Sequence, residues 1–347
     1  MSKTYRVAII GCGGRGREHA KGIQADSRLE MVALADPNQA AADALNADYN
    51  FGARVYTDYQ ELLQTEKPDI VAACLWPGLH LPVYRACTEA GVKAVMSEKP
   101  MAPTWGECLE MARLEKETGC QLTFSHQRRF ASGNLLARKL IADGTFGEIQ
   151  RLDLYSPQNL LDCGTHTVDQ AMSFIGEVPG RWVMGAVDTS KLLNWFGVRA
   201  ETIATGTIVF ENGIRAHLQT GGPDMDMWGG VRVIGSKGFL EVLWDGNFKQ
   251  AVVYAQPEWK PPTCEAQPDE HMIGLVKNAV DCLESGDESE VSCTKALRAT
   301  EILFGLYESV RQCRRIELPL QNVRDNPLHA LLDGENVQVV HPGANVK

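Results

Sequence analysis

The stretch Val7-Ala8-Ile9-Ile10-Gly11-Cys12-Gly13-Gly14-Arg15-Gly16 sets how the chain begins. Four uninterrupted apolar residues read as a strand buried on both faces. A Gly-x-Gly-x-x-Gly turn follows, and residues 15–24 then carry a helical pattern. Glycines are common in turns, so the turn alone means little. Between a strand and a helix it has a mechanism. Gly11 allows the tight bend, Gly13 and its neighbour Gly14 let backbone approach a pyrophosphate, and Gly16 lets the helix pack on the strand. Arg15 and Arg17 stand where the helix dipole disfavours positive charge, a conflict that a phosphate at the helix N-terminus would relieve. A surface arginine pair without a role is the other reading. Asp36 comes about 20 residues after Gly16, at the end of a second strand run. Its carboxylate suits two ribose hydroxyls and would repel a 2′-phosphate. No arginine follows in Pro37-Asn38-Gln39, so NAD is expected and NADP is less favoured. A helix cap before Pro37 is the alternative use of this residue.

On either side of this turn and beyond it, strand-like runs at 7–10, 31–35, 70–75 and 92–96 alternate with helical stretches at 15–24, 39–46, 82–90 and 105–118. That alternation predicts a parallel sheet with right-handed crossovers, closed by a last strand at 121–125. After His126 the pattern changes. Helices are expected at 134–142 and 165–175 around a strand at 148–155. Strand-like runs follow at 181–187, 201–210, 214–219, 230–234, 238–243 and 250–254, then helices at 268–285 and 295–313. Glu211-Asn212-Gly213 and Ser236-Lys237-Gly238 read as hairpin turns. The fold expected is an α/β Rossmann domain over 1–122, an α+β substrate and oligomerisation domain with a mainly antiparallel open sheet over 123–325, and a tail over 326–347.

Composition narrows the function. The chain has 347 residues, enough for about two domains. A formal net charge of −10 argues against a nucleic-acid face, which needs clustered Lys and Arg. The ten cysteines form no Cys-x-x-Cys pair and read as reduced core thiols. No apolar run approaches the ~18 residues of a membrane span. The first residues run straight into a strand pattern without a leader signature. A cytoplasmic protein with no membrane association is expected.

A second motif, Ser97-Glu98-Lys99-Pro100, follows a strand run, so Lys99 points at the crevice beyond the strand ends. Further on, Asp162 and His166 fall on one face if their segment is helical. His166, Asp169, Gln170 and Ser173 form a polar stripe opposite Val168, Met172 and Ile175. A stripe facing a cleft and one facing water look alike in sequence. Asp162 and His166 lack a third ligand at suitable spacing, so no metal is expected.

Together these pieces resemble the Gfo/Idh/MocA family, which includes glucose–fructose oxidoreductase and inositol dehydrogenases. The pieces occur in order: the glycine turn, Ala35-Asp36-Pro37-Asn38, Trp76-Pro77-Gly78-Leu79-His80, Glu98-Lys99-Pro100, Gln127-Arg128-Arg129-Phe130, Asp162-Cys163-Gly164-Thr165-His166-Thr167-Val168-Asp169 and Gly235-Ser236-Lys237-Gly238. The resemblance implies that Lys99, Asp162 and His166 line the reaction site. It implies that Trp76, Pro77, His80, Glu98 and Lys99 lie near the cofactor, and that the second-domain sheet makes homodimer or homotetramer contacts. In relatives the Pro100 peptide is often cis. The expected activity is oxidation of a secondary hydroxyl of a sugar, polyol or derivative. His166 would serve as acid/base, since its unperturbed pKa lies near ~6.5. Lys99 would stabilise charge on the reacting oxygen and lower the His166 pKa. Asp162 would orient substrate or tune His166. A redox-neutral lyase or glycosidase and a non-catalytic NAD-binding regulator stay open. Two departures bear on substrate: the stretch ending Gln158-Asn159-Leu160-Leu161 is short, and Trp76 replaces a smaller polar residue. Arg128 and Arg129 suit substrate contact or interdomain ion pairs equally, and His126 receives no role.

Overall fold

The computed structural model describes residues 4–222 and 229–334. The first domain has strands β1 (Tyr5–Ile10), β2 (Leu29–Ala35), β3 (Arg54–Tyr56), β4 (Ile70–Ala73), β5 (Ala94–Ser97) and β6 (Gln121–Phe124). They alternate with helices α1 (Gly14–Ala25), α2 (Gln39–Tyr49), α3 (Tyr59–Glu66), α4 (Pro77–Glu89) and α5 (Trp105–Thr118). The strands form one sheet in the order β3-β2-β1-β4-β5-β6, with every pairing parallel. The chain reverses direction across the sheet between β1 and β4, the place where such folds open a ligand crevice.

Two of these elements are absent from the sequence reading. Strand β3 is three residues long and sits at the sheet edge, too short to show a period. Helix α3 is short, with only Leu62 and Leu63 buried among its apolar residues, and Asp58 caps it through the Gln60 N–H. Helix α4 also starts earlier than expected, because Pro77 occupies the first turn, where its missing N–H costs nothing.

The second domain begins with a 3-10 turn (Gln127–Phe130), then α6 (Ser132–Ala142), β7 (Ile149–Ser156), a π turn (Leu160–Gly164) and α7 (Thr165–Phe174). Next come β8 (Gly180–Asp188), the small strands β9 (Leu193–Trp195) and β10 (Val198–Ala200), β11 (Ile203–Phe210), β12 (Arg215–Thr220), β13 (Gly230–Gly235), β14 (Gly238–Leu243) and β15 (Phe248–Val253). The chain closes with α8 (Glu270–Ser285), α9 (Cys293–Gln312), β16 (Ile316–Glu317) and α10 (Pro327–Leu332). Eight strands form one sheet, ordered β15-β14-β13-β7-β12-β11-β8-β16. Only the β7–β12 pair within it is parallel. Both hairpin turns lie where the sequence places them, the first with Gly213 at φ +87°. On β12, Ala216, Leu218 and Thr220 are buried while Arg215, His217 and Gln219 are exposed, so one face meets helices and the other stays open.

Helix α8 comes late in the chain yet packs on the first sheet. Its Leu275, Val276, Ala279 and Val280 share an apolar cluster with Val7, Ile9, Ile23, Ala72 and Met96. The β9–β10 hairpin, β16 and α10 were not legible either, being two to six residues long. The expected tail over 326–347 is thus in part α10, and its remainder from 335 lies outside the described residues. Among the described residues no helix is long and apolar enough to cross a membrane.

Candidate active site

The carboxyl ends of β1, β2, β4 and β5 bring four loops together. After β1, Gly11 adopts φ +94°, and an added Cβ would stand 2.3 Å from the Cys74 carbonyl oxygen. At Gly16 an added Cβ would stand 2.3 Å from the Gly11 carbonyl oxygen. Strand, turn and helix therefore interlock through backbone. We expect Gly16→Ala to force the turn apart, with an overpacking cost of about 1–3 kcal/mol and weakened NAD binding. Thermal unfolding and a cofactor titration would check this, and unchanged values in both would refute it. At Gly13 and Gly14 an added Cβ meets nothing within 4 Å. Helix α1 has no side-chain cap and no acidic residue in its first turn among the described residues. An open, uncapped helix N-terminus fits a pyrophosphate.

Asp36 closes the turn from the side. One carboxylate oxygen accepts the Cys12 N–H at 2.8 Å and the other the Asn38 N–H at 2.8 Å. Each oxygen keeps further acceptor capacity for a ribose hydroxyl.

Arg15 meets an anion, but one supplied by the chain. Its Nε donates to Glu98 Oε1 at 2.9 Å, and the same oxygen lies 3.1 Å from His19 Nε2. His19 also meets the Ser125 hydroxyl at 2.9 Å. Arg15 and His19 are four residues apart on α1, so both reach from one face. Burial by itself would raise the Glu98 carboxyl, but the His19 hydrogen bond and the Arg15 charge outweigh it and hold the group at about 2. Arg17 pairs with Asp48 on α2. His80, on α4, is buried and brackets two loops. Its Nδ1 lies 3.0 Å from the carbonyls of Pro100 and Met101, and its Nε2 lies 3.1 Å from that of Leu75. Trp76 caps the start of α4 and remains 60% exposed.

The candidate reaction groups Lys99, Asp162 and His166 lie where the two domains face each other. The Lys99–Pro100 peptide is cis. Lys99 Nζ pairs with the Asp162 carboxylate and donates to the Asp162 backbone carbonyl at 3.0 Å. Asp162 sits in the π turn, whose Asn159 side chain accepts the Asp162 N–H at 2.9 Å. His166 follows in the first turn of α7, with its ring centroid 5.5 Å from that of Trp244 and 5.9 Å from that of His126. Burial first, then the charges of Lys99 and Arg128, push its pKa well below 6.5. Its buried Nδ1 has no hydrogen-bond partner among the described residues. Burial and these charges therefore disfavour the imidazolium form of His166. Asp162 makes its charged contact with Lys99.

The polar stripe of α7 faces protein. Residues 165–172 are all buried. Asp169 holds Arg129 in a two-pronged pair at 2.8 and 2.7 Å, and Arg129 also reaches Glu177. Arg129 is thus a buried ion-pair partner within the second domain. Arg128 lies over the Trp244 ring, 5.5 Å from its centroid. Cys12 and Cys163 are pushed up to about 12, mainly by burial, so neither offers a thiolate.

His80, His126 and His166 are all lowered by burial. They are neutral in the fold and charge only at some cost, while the unfolded chain takes those protons near pH 6.5. Stability should hold above about pH 6.5 and decline below it, since the unfolded state then binds more protons. Glu98 adds a further loss as pH falls from 4.5 toward about 2. Denaturant titrations from pH 8 to pH 4, about the range that brackets histidine titration, would test this. A flat profile would sink it.

A family model described as "Oxidoreductase family, NAD-binding Rossmann fold" matches residues 5–126. D-glucoside 3-dehydrogenase of Escherichia coli is 30% identical over 249 residues, spanning 63% of this chain and 70% of that protein. The chain belongs to the Gfo/Idh/MocA oxidoreductase family. Inositol 2-dehydrogenase of Rhizobium meliloti is 24% identical across 91% of this chain and 99% of its own length. Among solved structures, the WlbA dehydrogenase of Bordetella pertussis, in complex with NADH and UDP-GlcNAcA, aligns with a TM-score of 0.78 at 22% identity. That alignment covers 92% of this chain and 99% of the other, and it carries the fold.

Within this Gfo/Idh/MocA chain, the sequence singles out Lys99, Asp162 and His166 as candidates but not the groups that surround them. His19 was detectable from its spacing to Arg15. His126, Trp195 and Trp244 had no local signal, because they reach the site from separate segments of the chain.

Proposed function

We propose that this chain is an NAD-dependent dehydrogenase that oxidises a secondary hydroxyl of a sugar, polyol or derivative. The observation that carries this reading is the placement of buried His166 one turn along the chain from Asp162, whose carboxylate pairs with Lys99 beyond the carboxyl edge of the parallel sheet. Burial and the Lys99 charge both disfavour the His166 imidazolium. The Gly11–Gly16 turn would hold the pyrophosphate, Asp36 the adenosine ribose, and Trp76 and Pro77 the wall beyond β4. NAD, once bound, supplies the acceptor for hydride from the carbinol carbon. His166 takes the hydroxyl proton. Lys99 donates a hydrogen bond to the same oxygen as negative charge develops, and Asp162 holds the Lys99 Nζ in place. The named activities of the Escherichia coli and Rhizobium meliloti relatives, on a glucoside and on inositol, support hydroxyl oxidation. The test is a panel of sugars and polyols screened for NADH formation. Tight NAD binding without turnover of any member would overturn the reading.

Cofactor choice follows from Asp36. NAD is expected to bind more tightly than NADP, and Asp36→Ala should weaken NAD about 10-fold or more, as loss of charged hydrogen bonds implies, while narrowing the NAD-to-NADP ratio. Equal affinities in the unaltered protein would count against Asp36 as the selector. The open face of the eight-stranded sheet, with Met184 53% exposed, is proposed as the contact for a second copy. A monomer mass in light scattering would exclude it.

A further inference from the structure

Among the described residues, eight large apolar side chains are exposed, and four of them lie in two short segments: Trp76 and Leu79, and Leu192 and Phe196. The segments belong to different domains and touch. Trp76 stacks on Phe196 with centroids 5.5 Å apart and planes 28° apart. Phe196 meets Trp195 edge-on at 5.3 Å, and Lys99 Nζ lies 5.8 Å from the centre of the Trp195 ring. The steps from Lys99 to Trp195 to Phe196 to Trp76 thus form a continuous aromatic run, one ring per step, leading out of the reaction site. Despite their mutual stack, Trp76 is 60% and Phe196 50% exposed. One face of each is covered and the remainder is open to solvent.

The run is built on a firm support. Trp195 and Phe196 sit at the tip of the β9–β10 hairpin, where Trp195 pairs with Val198 across a two-residue turn. Phe196 and Gly197 both have positive φ, at +49° and +82°, the geometry of a primed hairpin turn. A bulky residue is uncommon in that conformation. The hairpin base is pinned. Val198 and Ala200 are buried, and Arg199 makes a two-pronged pair with Asp333 at 2.8 and 2.8 Å. Next to it, buried Glu201 accepts from the Leu160 N–H at 2.7 Å and the Tyr307 hydroxyl at 2.6 Å, tying the base to the turn that carries Asp162.

We propose that this aromatic run is a subsite for the second ring of a glycoside, so that the substrate is a sugar bearing a ring aglycone or a second sugar. The inference rests on the dehydrogenase reading and names its substrate class. A hydroxyl held at Lys99 places the reacting ring against Trp195. A ring joined to it then lies over Phe196 and Trp76. Both an aryl group and the C–H face of a pyranose pack favourably on an exposed aromatic face. A free monosaccharide or an acyclic polyol would leave those rings uncovered.

The test compares methyl, phenyl and disaccharide glycosides of glucose, galactose and mannose, by titration calorimetry with NAD present. The phenyl or disaccharide form should bind about 10-fold more tightly than the methyl form of the same sugar, as one good aromatic stack provides. Phe196→Asn keeps a residue that tolerates positive φ but removes the ring. It should abolish that ratio and leave methyl glycoside affinity unchanged, while Phe196→Tyr should retain the ratio. Phenyl and disaccharide arms separate an aryl aglycone from a second sugar. The inference fails if the unaltered protein shows no ratio or binds none of the ringed glycosides. It also fails if Phe196→Asn preserves the ratio or lowers all affinities alike. A change of oligomer mass in Phe196→Asn with the ratio intact would show that the tip contacts a second copy instead. Because the ratio is read from binding, an intact ratio without NADH formation counts against the dehydrogenase reading alone. NADH formation from methyl glycosides without a ratio counts against the subsite alone.

Discussion

Replacing His166 by alanine is expected to lower turnover by about 10²–10⁴-fold, the usual contribution of a positioned acid/base group. NAD affinity should change little, because His166 stands on α7 while the glycine turn belongs to β1 and α1. The pair of measurements separates a catalytic role from general damage, and His166→Gln, closer in volume, guards against collapse of the space beside Trp244. The pH dependence is a second readout. Burial and the charges of Lys99 and Arg128 disfavour the imidazolium. In the unaltered protein kcat/KM for oxidation should stay level from alkaline pH through neutrality and fall only below about pH 6.5, as His166 takes up its proton. Full turnover in both variants would remove His166 from the mechanism.

Lys99→Ala should be nearly as damaging, about 10²–10³-fold in kcat, the cost of losing one donor aimed at a developing oxyanion. It also leaves the partly buried Asp162 carboxylate without its ammonium partner. The substitution carries a signature that simple misfolding would not produce. Lys99 is the charge that lowers His166 most, so its removal should raise the His166 pKa and move the acid limb of kcat/KM to higher pH. An acid limb that stays in place, with turnover near that of the unaltered protein, would refute both roles. Lys99→Arg keeps the charge but not the compact ammonium, and should restore the pH profile better than the rate.

The chain announces its first domain through local rules. A bend at Gly11, a close helix at Gly16 and an acid at the end of the second strand each depend on neighbours within one β-α-β unit, so spacing alone identifies them. The second sheet was legible as strands, because alternation and the turns at Asn212-Gly213 and Lys237-Gly238 are also local. The elements that escaped, β3, α3, β9, β10, β16 and α10, are two to eight residues long and show too little of a period to be read. Lys99, Asp162 and His166 stand out as candidates only because their order resembles a family pattern, and nothing in their separate neighbourhoods says that they come together.

Partners across the chain were decided by the tertiary fold. Arg15 had an evident need for an anion, and folding met it with Glu98, 83 positions away. The polar stripe on α7 looked like a solvent face or a cleft face. It became a buried one because Arg129, 40 positions from Asp169, came to lie against it. Trp76 was read beside the cofactor and Phe196 carried no signal in the sequence; the packing of the two domains is what brings their rings together. Periodicity and spacing report which side of an element is polar or apolar. They hold no information on what that side faces, because burial and charge pairing are properties of distances between segments that only the packed chain defines.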